Sequence, residues 1–379
     1  TTTDGIYISD RLIEKGDTTG PQSAQVILRD PTVDIAVLET ARGGILRSGL
    51  AFPHCDVGVV LNVAADHLGL GDIDTIDQMA RVKGVIAEAV HPDGYAVLNA
   101  DDERVAAMAE QVVGKIAYFS LDAQNPIVQK HVQAGGIAAV YDDGHLVILQ
   151  QDWVYRIEDV KQVPVTLGGR ASFMIANALA ASLAAYVQGI KIEQIRAALR
   201  SFEASAQQAP GRMNLFNLEH YHVLVDYAHN PAGYEAVGSF VKNWSGPTIG
   251  VVGGPGDRRD EDLMGLGQLS ASFFDQIIVK EDDDSRGRAD GEAAALVVQG
   301  IQQAGEALVS HRVELDEMTA IESALDSAPK DALVVIFPEQ VSRAIALIQA
   351  RNPVDEGAAA TPELSMGASS LKSMSIAGE

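Results

Sequence analysis

The amino-acid sequence predicts an α/β fold in two domains. The first is a parallel sheet with a small antiparallel hairpin region, and the second is a doubly wound sheet. Three observations carry this reading. Short continuous apolar runs, the mark of strands buried on both faces, alternate with stretches of helical period. Clusters of polar residues follow those runs again and again, where ligands sit in doubly wound sheets. The 379 residues suit about two domains of roughly 150 each.

Residues 35–38 (Ile-Ala-Val-Leu) and 57–61 (Val-Gly-Val-Val-Leu) read as buried strands. Residues 75–90 follow with helical spacing, placing Ile76, Met79, Ala80, Val82, Ile86 and Val90 on one broad face. A strand at 95–98, a helix at 103–112 and a strand at 116–119 come next. From residue 137 the period changes. Residues 138–148 hold two strand-like runs around Asp142-Asp143-Gly144, a hairpin signal. An Ala-rich helix spans 173–186 and a second helix 192–202. The loop-like stretch 207–211 marks the boundary, giving domains at 1–208 and 209–350. Strands at 223–225, 249–252, 277–279, 313–315 and 333–337, separated by helical stretches, build the second sheet. Residues 351–379 are expected to form a flexible tail, being rich in Ala, Gly, Ser, Pro and Met without period.

Composition narrows the function. With 28 Lys+Arg against 52 Asp+Glu the formal charge is −24, which argues against nucleic acid as a partner. The single cysteine, Cys55, allows no internal disulfide and fits a reducing cytoplasm. There is no apolar run of about 20 residues to span a membrane.

The polar clusters carry the chemistry. Glu39 closes a strand before a glycine-rich stretch and can hold Mg²⁺ through oxygen; taken alone it reads sooner as a solvated strand-end acid. Arg42 and Arg47 add positive charge that suits a phosphate, or are surface arginines of that loop. Asn62, Asp66 and His67 after the next strand offer hard and borderline ligands together. Lys83 reads from composition as an ordinary helix-surface lysine. Pro210-Gly211-Arg212 offers a guanidinium for phosphate oxygens. In Asp226-Tyr227-Ala228-His229-Asn230-Pro231, capping explains Asn230 but neither Asp226 nor His229. The turn 253–260 is glycine-rich with Arg258 near its tip, yet is no Walker motif, and none occurs elsewhere. Asp282, Asp283 and Asp284 repel one another unless water or cations separate them. That loop is either solvated or receives a cationic substrate, with Arg286 and Arg288 to neutralise it or to hold a substrate carboxylate.

Taken in order, Asn62…Asp66-His67, Lys83, Asn177-Ala178-Leu179-Ala180-Ala181, Pro210-Gly211-Arg212, the 226–231 segment and the 253–258 turn resemble the Mur ligase family, which makes amide bonds from a carboxylate, ATP and an amine. The stretches 39–47, 253–262 and 280–284 resemble, more narrowly, the Mur-ligase-like region of the cyanophycin synthetases within that family. The resemblance implies a Mur ligase-type central ATPase domain, partly truncated, followed by a doubly wound C-terminal domain. It implies ATP and Mg²⁺ as cofactors. Glu39 and His67 match metal-binding positions, and Lys83 matches a lysine that, when carbamylated, supports a second metal. Asn177, Arg212, Asp226 and His229 match nucleotide contacts, and the 282–288 loop with Arg258 matches the amino-acid-receiving segment. The implied reaction joins L-arginine to the side-chain carboxylates of a poly-aspartate (cyanophycin) chain through an acyl phosphate, in a cytoplasmic enzyme that is a homo-oligomer at full length. The family's phosphate-binding loop lies upstream of the part matched here, so this chain is expected to be a fragment with little activity alone. Two alternatives stay open: another Mur-type ligase, for cell-wall peptide or folylpolyglutamate, and a non-catalytic binding or assembly module.

Overall fold

The computed structural model describes residues 1–9, 11–65, 68–69, 72–305 and 309–351. The stretch expected to form a tail falls outside these apart from Arg351, as do Asp66 and His67. The chain divides into two compact units, one of residues 1–162 and 172–200, the other of residues 163–171 and the chain from 201 onward.

In the first unit a hairpin of β1 (Gly5–Ile8) and β2 (Arg11–Lys15) leads to the short helices α1 (Pro21–Leu28) and α2 (Arg42–Ser48). The main elements follow: β3 (Cys55–Val60), α3 (Ile76–Glu88), β4 (Val90–Asn99), α4 (Glu103–Ala107), β5 (Lys115–Ser120), α5 (Pro126–Gln133), β6 (Ile137–Asp142), β7 (His145–Gln150), β8 (Trp153–Asp159), α6 (Ser172–Val187) and α7 (Ile192–Ser201). The six strands β3 to β8 lie side by side in chain order. The pairs from β3 to β6 are parallel and those from β6 to β8 antiparallel. The expected hairpin is therefore a three-stranded meander.

Local chemistry starts the helices. The Thr75 hydroxyl accepts the Gln78 amide and the Gln78 side chain accepts the Thr75 amide, a reciprocal cap for α3. Asn125 caps α5, whose first residue is Pro126. Met79 and Ala87 of α3 pack with Val60, Leu98 and Val140 on one face of the sheet. On the strands the alternate residues Val97, Phe119 and Ile148 are buried too, and α6 lies against β4 to β7.

One expected strand is absent. Residues 35–38 enter no sheet, and Ile35 and Val37 are 66% and 81% exposed. Their stretch meets the start of the chain, through Thr1 amine to Val37 carbonyl at 2.9 Å and Glu39 amide to Thr1 carbonyl at 3.1 Å. An apolar run becomes a strand only where a neighbouring ladder takes up its backbone groups.

The second unit holds β9 (Asn214–Asn217), β10 (His222–Val225), α8 (Pro231–Val241), β11 (Thr248–Val252), α9 (Asp260–Ala271), β12 (Gln276–Val279), α10 (Glu292–Gln303), β13 (Ser310–Val313), α11 (Glu317–Ser327), β14 (Leu333–Ile336) and α12 (Val341–Arg351). The strand order is β13-β12-β11-β14-β10-β9, parallel except for the β9–β10 pair. Apolar residues of α11 and α12 fill one face against Val223, Ile249, Ile278 and Val334. Helices α9 and α10 lie against β11 and β12. The last expected strand before α11 sits three residues earlier than 313–315, but Glu314 and Leu315 still bond the main chain of Val279 and Glu281. Because β11, β12 and β14 are parallel, the turns after them lie at one end of the sheet, where the strand order also reverses between β11 and β14, the position from which such sheets bind ligands.

Candidate functional site

In the first unit a cleft of about 760 Å³ is lined by Asp17, Thr19, Glu39, Arg42, Arg47 and Lys83, among others. Glu39 is held there by Thr3: its Oε2 accepts the Thr3 amide at 3.1 Å and its Oε1 the Thr3 hydroxyl at 3.0 Å. Each oxygen keeps lone-pair capacity for a cation or a further donor. Lys83, on α3, donates from Nζ to the Asn62 carbonyl at 3.1 Å. The cleft thus brings together Glu39 and Lys83, 44 positions apart, with the two arginines of α2. Three cationic side chains beside two carboxylates suit an anionic ligand that arrives with a divalent cation.

Among the described residues no group of three or more His, Cys, Asp or Glu forms a cage. Mg²⁺ does not need one, since it commonly takes one or two protein carboxylates, several waters and substrate phosphate oxygens. The Glu39 carboxylate fits that pattern. Asn177 stands exposed on α6, its Nδ2 3.7 Å from Met174 Sδ.

In the second unit Asp226 follows β10 and is buried. Its Oδ2 accepts the Met213 amide at 3.0 Å and its Oδ1 the Ala228 amide at 2.9 Å. Burial pushes its carboxyl above the usual range, opposed by the Met213 amide, the Arg212 charge and the Ala228 amide. Asp226 therefore shapes the turn that presents Arg212 and His229. The Arg212 guanidinium lies 5.5 Å from the Tyr227 ring centre, and His229 Nδ1 is 3.0 Å from the Tyr227 carbonyl with the two rings 5.3 Å apart. Arg212, Asp226 and His229 come together around Tyr227, which forms an aromatic platform between them.

The turn after β11 and the acidic loop after β12 are one construction. A Cβ on Gly256 would lie 2.0 Å from the Ser285 carbonyl oxygen, so only glycine fits. Arg288 spans the two, donating to the Gly256 and Arg258 carbonyls at 2.7 Å each and pairing with Asp260 at 2.7 Å and Glu292 at 2.9 Å. Arg286 reaches both Asp257 oxygens at 3.1 and 3.2 Å. Arg258 is buried beneath the turn.

The three aspartates are not equivalent. Asp282 points inward, 2.6 Å from the Lys280 ammonium, with its side chain 7% exposed. Asp283 stands half exposed and pairs with Arg343 at 3.1 Å. Asp284 accepts the Arg286 amide at 2.9 Å. The mutual repulsion expected of three solvated neighbours is relieved by separating them. Sequence reasoning missed Lys280, Glu317, Glu339, Gln340 and Arg343 as partners of this loop. The one signal available was a lysine at the end of an apolar strand, a position that buries its stem.

Two family models match the chain, the Mur ligase middle domain over residues 1–185 and the Mur ligase, glutamate ligase domain over residues 211–340. Among curated relatives, a cyanophycin synthetase of Trichormus variabilis is 66% identical over 357 residues, covering 94% of this chain and 40% of that protein. One from Synechocystis is 64% identical over 354 residues, covering 93% and 40%. The chain thus spans about two fifths of the length of these relatives. Among solved structures, E. coli FolC in complex with DHPP and ADP superposes with a TM-score of 0.56 at 19% identity, covering 78% of this chain and 62% of that one, a likeness of fold. No helix among the described residues is long and apolar enough to cross a membrane. With both domain models matched in order along one chain, and relatives at this identity, the chain belongs to the Mur ligase family.

Proposed function

We propose that the chain is an ATP-dependent amide-bond-forming ligase module that joins L-arginine to the side-chain carboxylates of a poly-aspartate backbone in the cytoplasm. The observation that carries the proposal is the 66% identity over 94% of the chain to proteins named cyanophycin synthetase. In this reading a substrate carboxylate oxygen attacks the γ-phosphorus of ATP and ADP leaves. The arginine amine, having lost a proton, then attacks the acyl carbon and phosphate departs. Arg42 and Arg47 supply positive charge to the cleft that holds the anionic chain. Glu39, with His67 and a carbamylated Lys83, would hold Mg²⁺, which when bound neutralises phosphate charge. Asn177, Arg212, Asp226 and His229 are assigned to the nucleotide. Asp283, Asp284 and Arg286 are assigned to the incoming amino acid, with Asp282, Arg288 and Arg258 shaping their loop.

The test is phosphate release by the full-length protein given ATP, Mg²⁺, a poly-aspartate primer and a panel of amino acids. Release should depend on arginine, and Glu39→Gln should lower it by about 10²- to 10³-fold with the thermal midpoint unchanged. Turnover with another amine but not arginine overturns the substrate assignment and favours a different Mur-type ligase. No turnover with any amine overturns the ligase reading and favours a binding module.

A further inference from the structure

Lys280 follows directly on β12 and is 2% exposed. A lysine is almost never so buried unless paired. Its Nζ lies 2.6 Å from Asp282 Oδ1 and 2.7 Å from Glu317 Oε2. Burial by itself would lower its pKa, but the charges of Asp282 and Glu317 and their hydrogen bonds hold it above the ordinary lysine value. Its stem lies along Gly253, where a Cβ would sit 3.1 Å from both Cδ and Cε. Lys280 therefore touches the glycine-rich turn, the acidic loop and the start of α11 at once.

Glu317, also buried, passes the contact on. Its Oε2 accepts the Glu339 amide at 2.6 Å and its Oε1 the Gln340 amide at 3.1 Å. The Glu339 carboxylate accepts the Asp283 amide at 2.6 Å. Gln340 Nε2 and Arg343 then reach Asp283 Oδ2 at 3.0 and 3.1 Å. The result is a closed ring running from Lys280 through Glu317, the 339–340 turn and Asp283 back to Asp282. Among the described residues Lys280 is the one cation inside it, since Arg343 meets Asp283 at the half-exposed rim. Apolar residues would satisfy stability at such positions at least as well as a buried lysine with two carboxylates. What the ion cluster adds is a single defined arrangement of three loops.

We infer that Lys280 is a positioning residue: through Asp282 and Glu317 its ammonium locks the 339–340 turn against Asp283, and so sets where residues 283–286 present their charges to the incoming amine. The link to an amine rests on the ligase reading proposed above; the lock does not.

Two measurements separate these parts. The first is hydrogen exchange on this chain, comparing wild type with Lys280→Met and with Lys280→Met/Asp282→Asn. The double variant removes one stranded carboxylate and keeps the test readable where the single variant unfolds. The amides of Asp283, Glu339 and Gln340 should exchange at least about tenfold faster while β10 and β11 stay protected. Unchanged exchange at those amides overturns the lock. The second is steady-state kinetics of the full-length protein. Lys280→Met should raise KM for arginine by about 10- to 100-fold with kcat within about threefold, and Lys280→Arg should recover most of it. Faster exchange with an unchanged KM overturns the positioning role and leaves a structural clamp. An inactive wild type overturns the ligase reading and with it the positioning role, while the exchange result still decides the lock.

Discussion

Replacing Tyr234 by Phe removes one oxygen from the centre of the second unit. Tyr234 is fully buried on α8, its ring stacked on Phe337 at 4.0 Å. Its hydroxyl donates to the Gly253 carbonyl at 2.8 Å and accepts the Gly253 amide at 3.2 Å. Burial raises its pKa far above that of an ordinary phenol, so the hydroxyl is neutral at any working pH. Phenylalanine keeps the stacking and opens no cavity larger than one oxygen. The cost is two buried backbone groups deprived of a partner. At about 1 to 3 kcal/mol for an unsatisfied buried group, with partial relaxation of the turn, the loss should be about 2 to 3 kcal/mol. The sequence has two tryptophans, Trp153 in the first unit and Trp244 in the second. In a Trp153→Phe background, Trp244 fluorescence reports urea unfolding of the second unit. With a slope of about 2 kcal/mol per molar, the midpoint should fall by about 1 M or slightly more at unchanged slope. A fall below about 0.3 M would show that water or a rearranged turn replaces the hydroxyl and would refute the reasoning. Tyr234→Leu, which also loses the ring, should cost more, about 3 to 5 kcal/mol.

Two further outcomes follow from single groups. Burial, and then the neighbouring Asp56 charge, pushes the Cys55 thiol up to about 11 from a reference of 9.0. Iodoacetamide at pH 8 should therefore label it about 100-fold more slowly in the folded chain than in urea, and native labelling within tenfold of the unfolded rate would contradict this. Asp316 caps α11 by accepting the Thr319 amide at 2.8 Å and hydroxyl at 2.6 Å, and these bonds lower its pKa below 3.8. Asp316→Ala should cost the second unit about 1 kcal/mol at pH 7. Because the folded pKa is depressed, that contribution is present above pH 3.8 and fades as pH falls through the folded value. Denaturant titrations of both proteins at pH 7 and pH 3 check it, and a difference that grew on acidification would reverse the argument.

Much of the site was visible as a list of residues and little of it as an arrangement. The 226–231 segment was legible because a turn, an N-cap and a helix start are written in adjacent residues: Asn230 does cap α8 and Pro231 does open it. Glu39 was named as a strand-end acid and Lys83 from the resemblance, and only the fold shows that both line one cleft. The acidic loop was read as a run of like charges. Its division into an inward Asp282 and an outward Asp283 depends on Gln340 and Arg343, 57 and 60 residues away. Trp153 and Val154 were passed over because the edge strand β8 opens on exposed residues and carries no buried apolar run.

The sequence alone determined the α/β alternation, the parallel second sheet and the polar ends of its strands. Strands such as 249–252 are buried on both faces, so their composition reports their surroundings directly. The tertiary structure decided what the same pattern could not: that the run at 35–38 finds no ladder beyond Thr1, and that Lys280 is interior. Both outcomes hang on partners distant in the chain. A backbone group or a charge is stable in a buried place only when its partner arrives there too, and that partner is chosen by the fold.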